Sequence, residues 1–138
     1  MDSERISRFD RLLKERADVT LFCSSWLMDE ERAQPRQAEF VDHGVDYGPF
    51  EEAGLGHTPA PADVADLSRP IVGFVGGIDA HTFDPELFVE VARRVPEATF
   101  MLVGGCSLPE DWCELPNVKL LGQRPYTEVA GYMAASDV

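Results

Sequence analysis

The chain has 138 residues, 25 acidic and 12 lysine or arginine, with a net charge of −13. Its length suits about one domain of roughly 100–200 residues, and 44% hydrophobic residues argue against intrinsic disorder. An acidic surface disfavours nucleic acid and anionic membranes, which attract lysine and arginine, and no apolar run approaches the ~20 residues of a transmembrane helix.

The N-terminal part predicts alternating helices and strands. Apolar residues at helical spacing predict an amphipathic helix over residues 3–17. The β-branched and aromatic run VTLFCSS (19–25) predicts a buried strand. Ser24 or Ser25 is expected to cap a second helix, and EFVD (39–42) predicts another strand.

The character of the sequence changes between His43 and Ser68. This stretch contains four glycines and three prolines and shows no sustained period. It predicts a linker or a long irregular crossover, because a structureless stretch of that length is unusual inside one compact domain. We therefore expect a domain boundary here.

The pattern then becomes regular. Continuous apolar runs predict parallel strands, at residues 70–77, 99–105 and 118–122. Asp84 followed by Pro85 is typical of a helix start, Thr127 is expected to cap a later helix, and a further strand is expected to begin at Asp137. The residues expected to face the core are Leu87, Phe88, Val91 and Val95 in the first of these helices and Val129, Tyr132 and Met133 in the second. This alternation predicts an α/β fold with parallel sheets.

Glycine pairs follow two of the predicted strands, as Gly76-Gly77 and Gly104-Gly105. Ligands of open α/β sheets bind outside the carboxyl ends of the strands, where glycine lets a ligand approach the backbone closely. The first pair also precedes a predicted helix N-terminus, which favours a phosphate, and His81 could donate a hydrogen bond to it. The alternative interpretation is ordinary turn glycines.

The turn after the third strand contains Gln123, Arg124 and Tyr126. An arginine and an aromatic ring in such a turn could bracket a nucleobase; a packing role for Tyr126 is the alternative. No histidines or cysteines have metal-ligand spacing, so no metal site is predicted, and no catalytic residue is identified.

Five segments in this order resemble group 1 glycosyltransferases of the GT-B fold, in particular bacterial family-4-like enzymes of polysaccharide assembly. They are ADVTLFCSSWLMDE, FVDHGVDYGPF, RPIVGFVGGID, DPELFVEVARRVPEATFMLVGG and LPNVKLLGQRPYTEVAGYMAASDV. The resemblance implies two Rossmann-like domains, both incomplete. Residues 1–42 would end the acceptor-binding domain, residues 43–69 would be the interdomain crossover, and residues 70–138 would be the first half of the nucleotide-sugar-binding domain.

The resemblance also implies a function. A retaining enzyme would transfer a sugar from a nucleotide-diphosphate donor to a glycan or lipid-linked acceptor, without a cofactor or metal. The diphosphate would lie against the Gly76-Gly77 turn and the base against the turn from Gly122 to Tyr126. We expect a cytoplasmic protein, at the inner face of the membrane in the full-length enzyme, and no sugar transfer by this chain alone.

Two other functions stay open. Many relatives carry an arginine and a lysine after the first glycine turn, whereas only His81 could be cationic between Ile78 and Leu87. This departure favours a non-catalytic α/β nucleotide-binding or interaction module. A sugar-nucleotide epimerase of the same two-domain architecture is the third interpretation.

Overall fold

The computed structural model describes residues 3–138, with Ser3 described by its backbone only. The chain divides into two compact units, Met1–Val45 and Asp46–Val138. Both contain parallel strands with helices between them, so the predicted α/β fold is confirmed. No helix within residues 3–138 is long and apolar enough to cross a membrane.

The first unit is a two-stranded parallel sheet with two helices. Its elements are α1 (Ser3–Arg16), β1 (Thr20–Phe22), α2 (Ser25–Glu31) and β2 (Ala38–Phe40). Strands β1 and β2 pair in parallel, with Thr20 opposite Ala38. The Ser24 hydroxyl accepts a hydrogen bond from the Leu27 N–H at 3.3 Å, so Ser24 caps α2.

This unit has little core of its own. Among its described side chains only Phe22 is buried, because two strands cannot enclose an apolar interior. Lys14 links α1 to α2 through a close ion pair with Glu31 and also bonds Asp10 at 2.6 Å. The hydrogen bonds with Asp10 and then Glu31 raise the pKa of Lys14 above its ordinary value.

The second unit contains a three-stranded parallel sheet. Its elements are α3 (Tyr47–Gly54), β3 (Ile71–Val75), α4 (Pro85–Arg94), β4 (Thr99–Val103), β5 (Val118–Gly122) and α5 (Tyr126–Ala135). The strand order is β3-β4-β5. Every residue of the central strand β4 is buried, because it has a strand on each side and a helix on each face. This double coverage explains its unbroken apolar sequence.

Two apolar clusters cover the two faces of this sheet. On the α5 side the buried residues are Val64, Ile71, Met101, Val103, Tyr132 and Ala135. On the α4 side they are Ala92, Ala98 and Phe100. Adjacent residues of β4 thus point to opposite clusters, as the alternation of side chains along a strand requires.

The segment expected to be irregular is partly structured. It contains α3, and Val64 and Leu67 belong to the core of the second unit. Local propensity missed this helix because its sequence, YGPFEEAG, holds two glycines and a proline, which are poor helix formers. The helix is stabilised instead by its packing against α5. The role of residues 43–69 as an interdomain crossover stays a prediction.

The apolar faces of two helices agree with expectation only in part. Phe88 of α4 and Val95 at its C-terminal end pack against the core, and Tyr132 of α5 is buried in it, as predicted. In α4, Leu87 is 61% exposed and Val91 42% exposed, while Ala92 is fully buried. In α5, Met133 is 51% exposed. The expected cap Thr127 lies inside this helix, which begins after Pro125 without a side-chain cap. Ala92 of α4 and Ala135 of α5 belong to the two clusters that cover the sheet, where a small side chain allows a close approach of helix and strand.

The last two residues lie along β3. The Asp137 N–H donates to the Ile71 carbonyl at 2.8 Å, and the Gly73 N–H donates to the Val138 carbonyl at 2.8 Å. The Asp137 carboxylate also accepts from the Ile71 N–H at 2.7 Å. Residues 136–138 form no assigned strand, so of the strand expected to begin at Asp137 only these hydrogen bonds to β3 are present.

Candidate functional site

The three strands of the second sheet end in glycines whose backbones touch. The Gly76 N–H donates to the Val103 carbonyl at 2.9 Å, and the Gly104 N–H donates to the Gly122 carbonyl at 2.9 Å. A Cβ at Gly104 would stand 1.8 Å from the Gly76 carbonyl oxygen, and Gly104 has φ +151°. Only glycine fits there, so the sequence brings the β3 and β4 ends into direct contact.

The turns beyond these glycines remain paired. The Ile78 N–H donates to the Gly105 carbonyl at 2.9 Å, and the Ser107 N–H donates to the Ile78 carbonyl at 3.0 Å. The Ile78 side chain is fully buried, which anchors the turn to the core. A Cβ at Gly105 would meet no atom within 4 Å. Open space beside the backbone therefore begins at Gly105.

A carboxylate that the sequence analysis did not single out holds the turn after Gly77. Asp79 accepts hydrogen bonds from the backbone N–H groups of His81, at 2.8 Å, and Thr82, at 3.1 Å. It also accepts from the Thr82 hydroxyl at 3.1 Å. The hydrogen bond from His81 is the main reason that the pKa of Asp79 lies below its ordinary value.

Asp79 makes the turn after Gly77 less favourable for an anion. Asp79 already takes the backbone donors of His81 and Thr82, and it brings a negative charge close to Gly77. At the start of α4, the Asp84 carboxylate accepts the Leu87 N–H at 3.0 Å. The spacing Asp-x-x-Thr, typical of a side-chain-closed turn, was the available signal for Asp79.

Arg124 lies two residues after Gly122 and pairs with a carboxylate from a distant segment. Its guanidinium donates to the Asp63 carboxylate at 2.7 Å. The guanidinium carbon also lies 5.8 Å from the centre of the Tyr132 ring, a cation–π contact. The Tyr132 hydroxyl donates to both Asp63 oxygens, at 3.0 and 3.1 Å. Burial, followed by this hydrogen bond, raises the pKa of Tyr132.

This Asp63–Arg124–Tyr132 cluster lines an open groove of about 580 Å³ between residues 58–63 and α5. The groove wall also includes the hydroxyls of Thr58 and Thr127 and the carboxylate of Glu128. The Arg124 Nε is buried and has no hydrogen-bond acceptor. The groove thus combines polar groups with one unsatisfied donor.

The other residues expected at the base have fewer contacts. Tyr126, the first residue of α5, lies with its ring centre 6.1 Å from that of Phe50 in α3. Gln123 is exposed. Tyr126 therefore has a packing contact, and its expected role at a nucleobase stays a prediction.

An aromatic cluster packs around the start of α4, next to the turn that follows Gly77. The Trp112 ring lies 5.7 Å, centre to centre, from the rings of Phe83 and Phe88. Trp112 connects the segment after β4 to α4 and serves as a packing anchor. Within residues 3–138, no three histidine, cysteine or acidic side chains come together as a metal site.

The structure therefore forms two groups from the expected site residues. Gly76, Gly77, Gly104 and Gly105 lie together where β3 and β4 end, with His81 exposed in the following turn. Gln123, Arg124 and Tyr126 lie at the start of α5. No protein family model matches the chain, and no curated protein matches it.

Proposed function

We propose that the chain is part of a retaining glycosyltransferase of polysaccharide biosynthesis, and that its second unit binds the nucleotide-diphosphate sugar donor. The supporting observation is the contact of the strand-end glycines Gly76, Gly104 and Gly122 at the carboxyl edge of a parallel sheet, where α/β folds bind nucleotides. The full-length enzyme would act in the cytoplasm, at the inner face of the membrane, on a glycan or lipid-linked acceptor.

In the proposed reaction the bond between the anomeric carbon and the diphosphate oxygen breaks. Its electron pair leaves with the nucleoside diphosphate, while the acceptor hydroxyl oxygen bonds to the anomeric carbon and passes its proton to the departing diphosphate oxygen. Backbone N–H groups and a cation would stabilise the leaving charge. Gly77, Gly105 and His81 would contact the diphosphate, and Gln123 with Tyr126 would contact the base. Arg124, which the sequence placed at the base, would here supply the cation instead. No catalytic residue is assigned.

Titration with UDP and with GDP tests the proposal. Binding should be saturable, and Gly105→Leu should weaken it about tenfold, which corresponds to ~1.4 kcal/mol of lost contacts. Gly48→Leu in α3 is the matched control, because a Cβ there also meets open space. Absence of saturable binding by the unsubstituted chain would refute the proposal. We expect no donor turnover by the chain alone, and robust turnover would contradict that expectation.

One observation favours a second candidate, a non-catalytic nucleotide-binding or interaction module. Asp79 occupies the backbone donors of the first turn and places a carboxylate beside Gly77. A turn of this kind repels a diphosphate unless a cation compensates. Silence towards UDP and GDP would favour an interaction module over a transferase.

A further inference from the structure

The second unit has few basic residues, and all but one of them lie away from the strand-end glycines. Residues 46–138, all of which the structure describes, contain Arg69, Arg93, Arg94, Lys119 and Arg124. Arg69 pairs with an aspartate near the start of β3, and both arginines of α4 pair with a glutamate of that helix. The lysine lies within β5. Arg124 alone among them follows the carboxyl end of a strand.

Arg124 is also within reach of the glycine edge. Two residues separate it from Gly122, whose carbonyl accepts the Gly104 N–H at 2.9 Å, and two extended residues span at most ~7 Å. A diphosphate at that edge would therefore depend on this guanidinium for its counter-charge. In the structure, however, the Asp63 carboxylate holds the guanidinium at 2.7 Å.

We infer that Asp63 is an autoinhibitory residue of the proposed nucleotide site, because its carboxylate must leave Arg124 before a diphosphate can take its place. The inference rests on the proposed function and adds a regulatory contact to it. The charge of Arg124 is neutralised at rest and becomes available only when an anion competes successfully with Asp63.

The geometry allows this exchange. The side chains of Arg124 and Asp63 are 31% and 40% exposed, so water and a ligand can reach the pair, and half-exposed ion pairs are weak. The adjoining groove gives an approach to the guanidinium. The unsatisfied Nε would gain an acceptor from an incoming phosphate oxygen.

Asp63 keeps a partner when the pair separates. Its carboxylate still accepts the Tyr132 hydroxyl hydrogen, which the two Asp63 oxygens share at 3.0 and 3.1 Å, so the carboxylate stays near and can pair with Arg124 again. The contact between Asp63 and Arg124 is therefore reversible without unfolding of α5.

The test compares Asp63→Asn with Asp66→Asn in the whole chain, with UDP and GDP as probes. Asparagine keeps the acceptor for Tyr132 and the side-chain volume while removing the charge. The control, Asp66→Asn, removes the same charge from an exposed residue three positions after Asp63. We expect Asp63→Asn to tighten nucleotide binding about fivefold and Asp66→Asn to leave it unchanged.

The outcomes separate this inference from the proposed function. Saturable binding by the unsubstituted chain with equal or weaker binding by Asp63→Asn would overturn the inference and leave the proposed function standing. No saturable binding by the unsubstituted chain would overturn both.

Discussion

The contact between Gly104 and Gly76 makes a sharp prediction about two adjacent glycines. Gly104→Ala would place a methyl group 1.8 Å from the Gly76 carbonyl oxygen, at a φ of +151°. Gly105→Ala, one residue later, would place the same methyl group in open space. The two substitutions are chemically identical, so a difference in their effects reports the local geometry alone.

The expected cost follows from two sources. A non-glycine residue at that φ costs about 1–3 kcal/mol, and forcing a methyl group into the packed backbone costs ~1–3 kcal/mol more. Stiffening of the unfolded chain returns ~0.4–1 kcal/mol. We expect Gly104→Ala to lower the free energy of unfolding by about 2–5 kcal/mol, and Gly105→Ala to leave it equal or slightly higher.

Urea unfolding followed by Trp112 fluorescence measures both effects in the second unit. Trp26→Phe removes the other tryptophan, which is largely exposed in α2. The two alanine variants are then compared in this background, with equal denaturant slopes as the check that the unfolded states match. If their unfolding free energies agree within ~0.5 kcal/mol, the close approach of the strand ends is refuted.

Three further predictions concern the stability of the second unit. Gly73→Ala would place its Cβ 2.1 Å from the Ser136 hydroxyl, so it should cost about 1–3 kcal/mol in denaturant unfolding, and Ser136→Gly should recover most of that loss; a double variant as unstable as Gly73→Ala would contradict this packing. The Asn117 amide donates to three carbonyls at and beyond the end of α4, at 3.0 to 3.3 Å; Asn117→Ala should therefore lower the free energy of unfolding by about 1–3 kcal/mol, and an unchanged midpoint would contradict it. A β3 backbone N–H, and then an arginine, hold the pKa of Asp137 below its ordinary value of 3.8, so its stabilisation is full above about pH 4 and is lost as the pH falls through the lowered pKa. Asp137→Asn should flatten that acid limb in thermal unfolding, whereas Asp66→Asn should not; equal slopes for all three chains would contradict this.

The strands of the second unit could be predicted from sequence because one physical cause dominates each. A strand buried on both faces needs an unbroken apolar run, and β4 (Thr99–Val103) has one. The start of α4 at Pro85 could likewise be predicted, because the capping carboxylate of Asp84 and the fixed φ of proline act locally. Features that depend on neighbouring residues in this way can be predicted from the sequence alone.

Features created by distant partners could not be predicted. Helix α3 (Tyr47–Gly54) exists through its packing on α5, against its own propensity. The apolar period of α4 identified Leu87 and Val91 as core residues, but the sheet contacts the side marked by Ala92. Periodicity gives the direction of an apolar face, whereas the closest approach depends on residue size, which the period does not encode.

The charged groups of the candidate site were also harder to predict from sequence than its glycines. The glycine turns were found from spacing, but two carboxylates that hold groups beside those turns, Asp79 and Asp63, were not. Asp79 acts within its own turn, so its role could have been found from sequence. Asp63 lies 61 residues before Arg124, and no local pattern connects them. Space for a ligand exists beyond Gly105, so charge is the stronger control on this edge. Each carboxylate opposes an anion there, one by occupying backbone donors and the other by occupying the arginine. If the proposed nucleotide site is correct, removing the charge of Asp63 should therefore strengthen nucleotide binding, whereas filling the space beside Gly105 should weaken it.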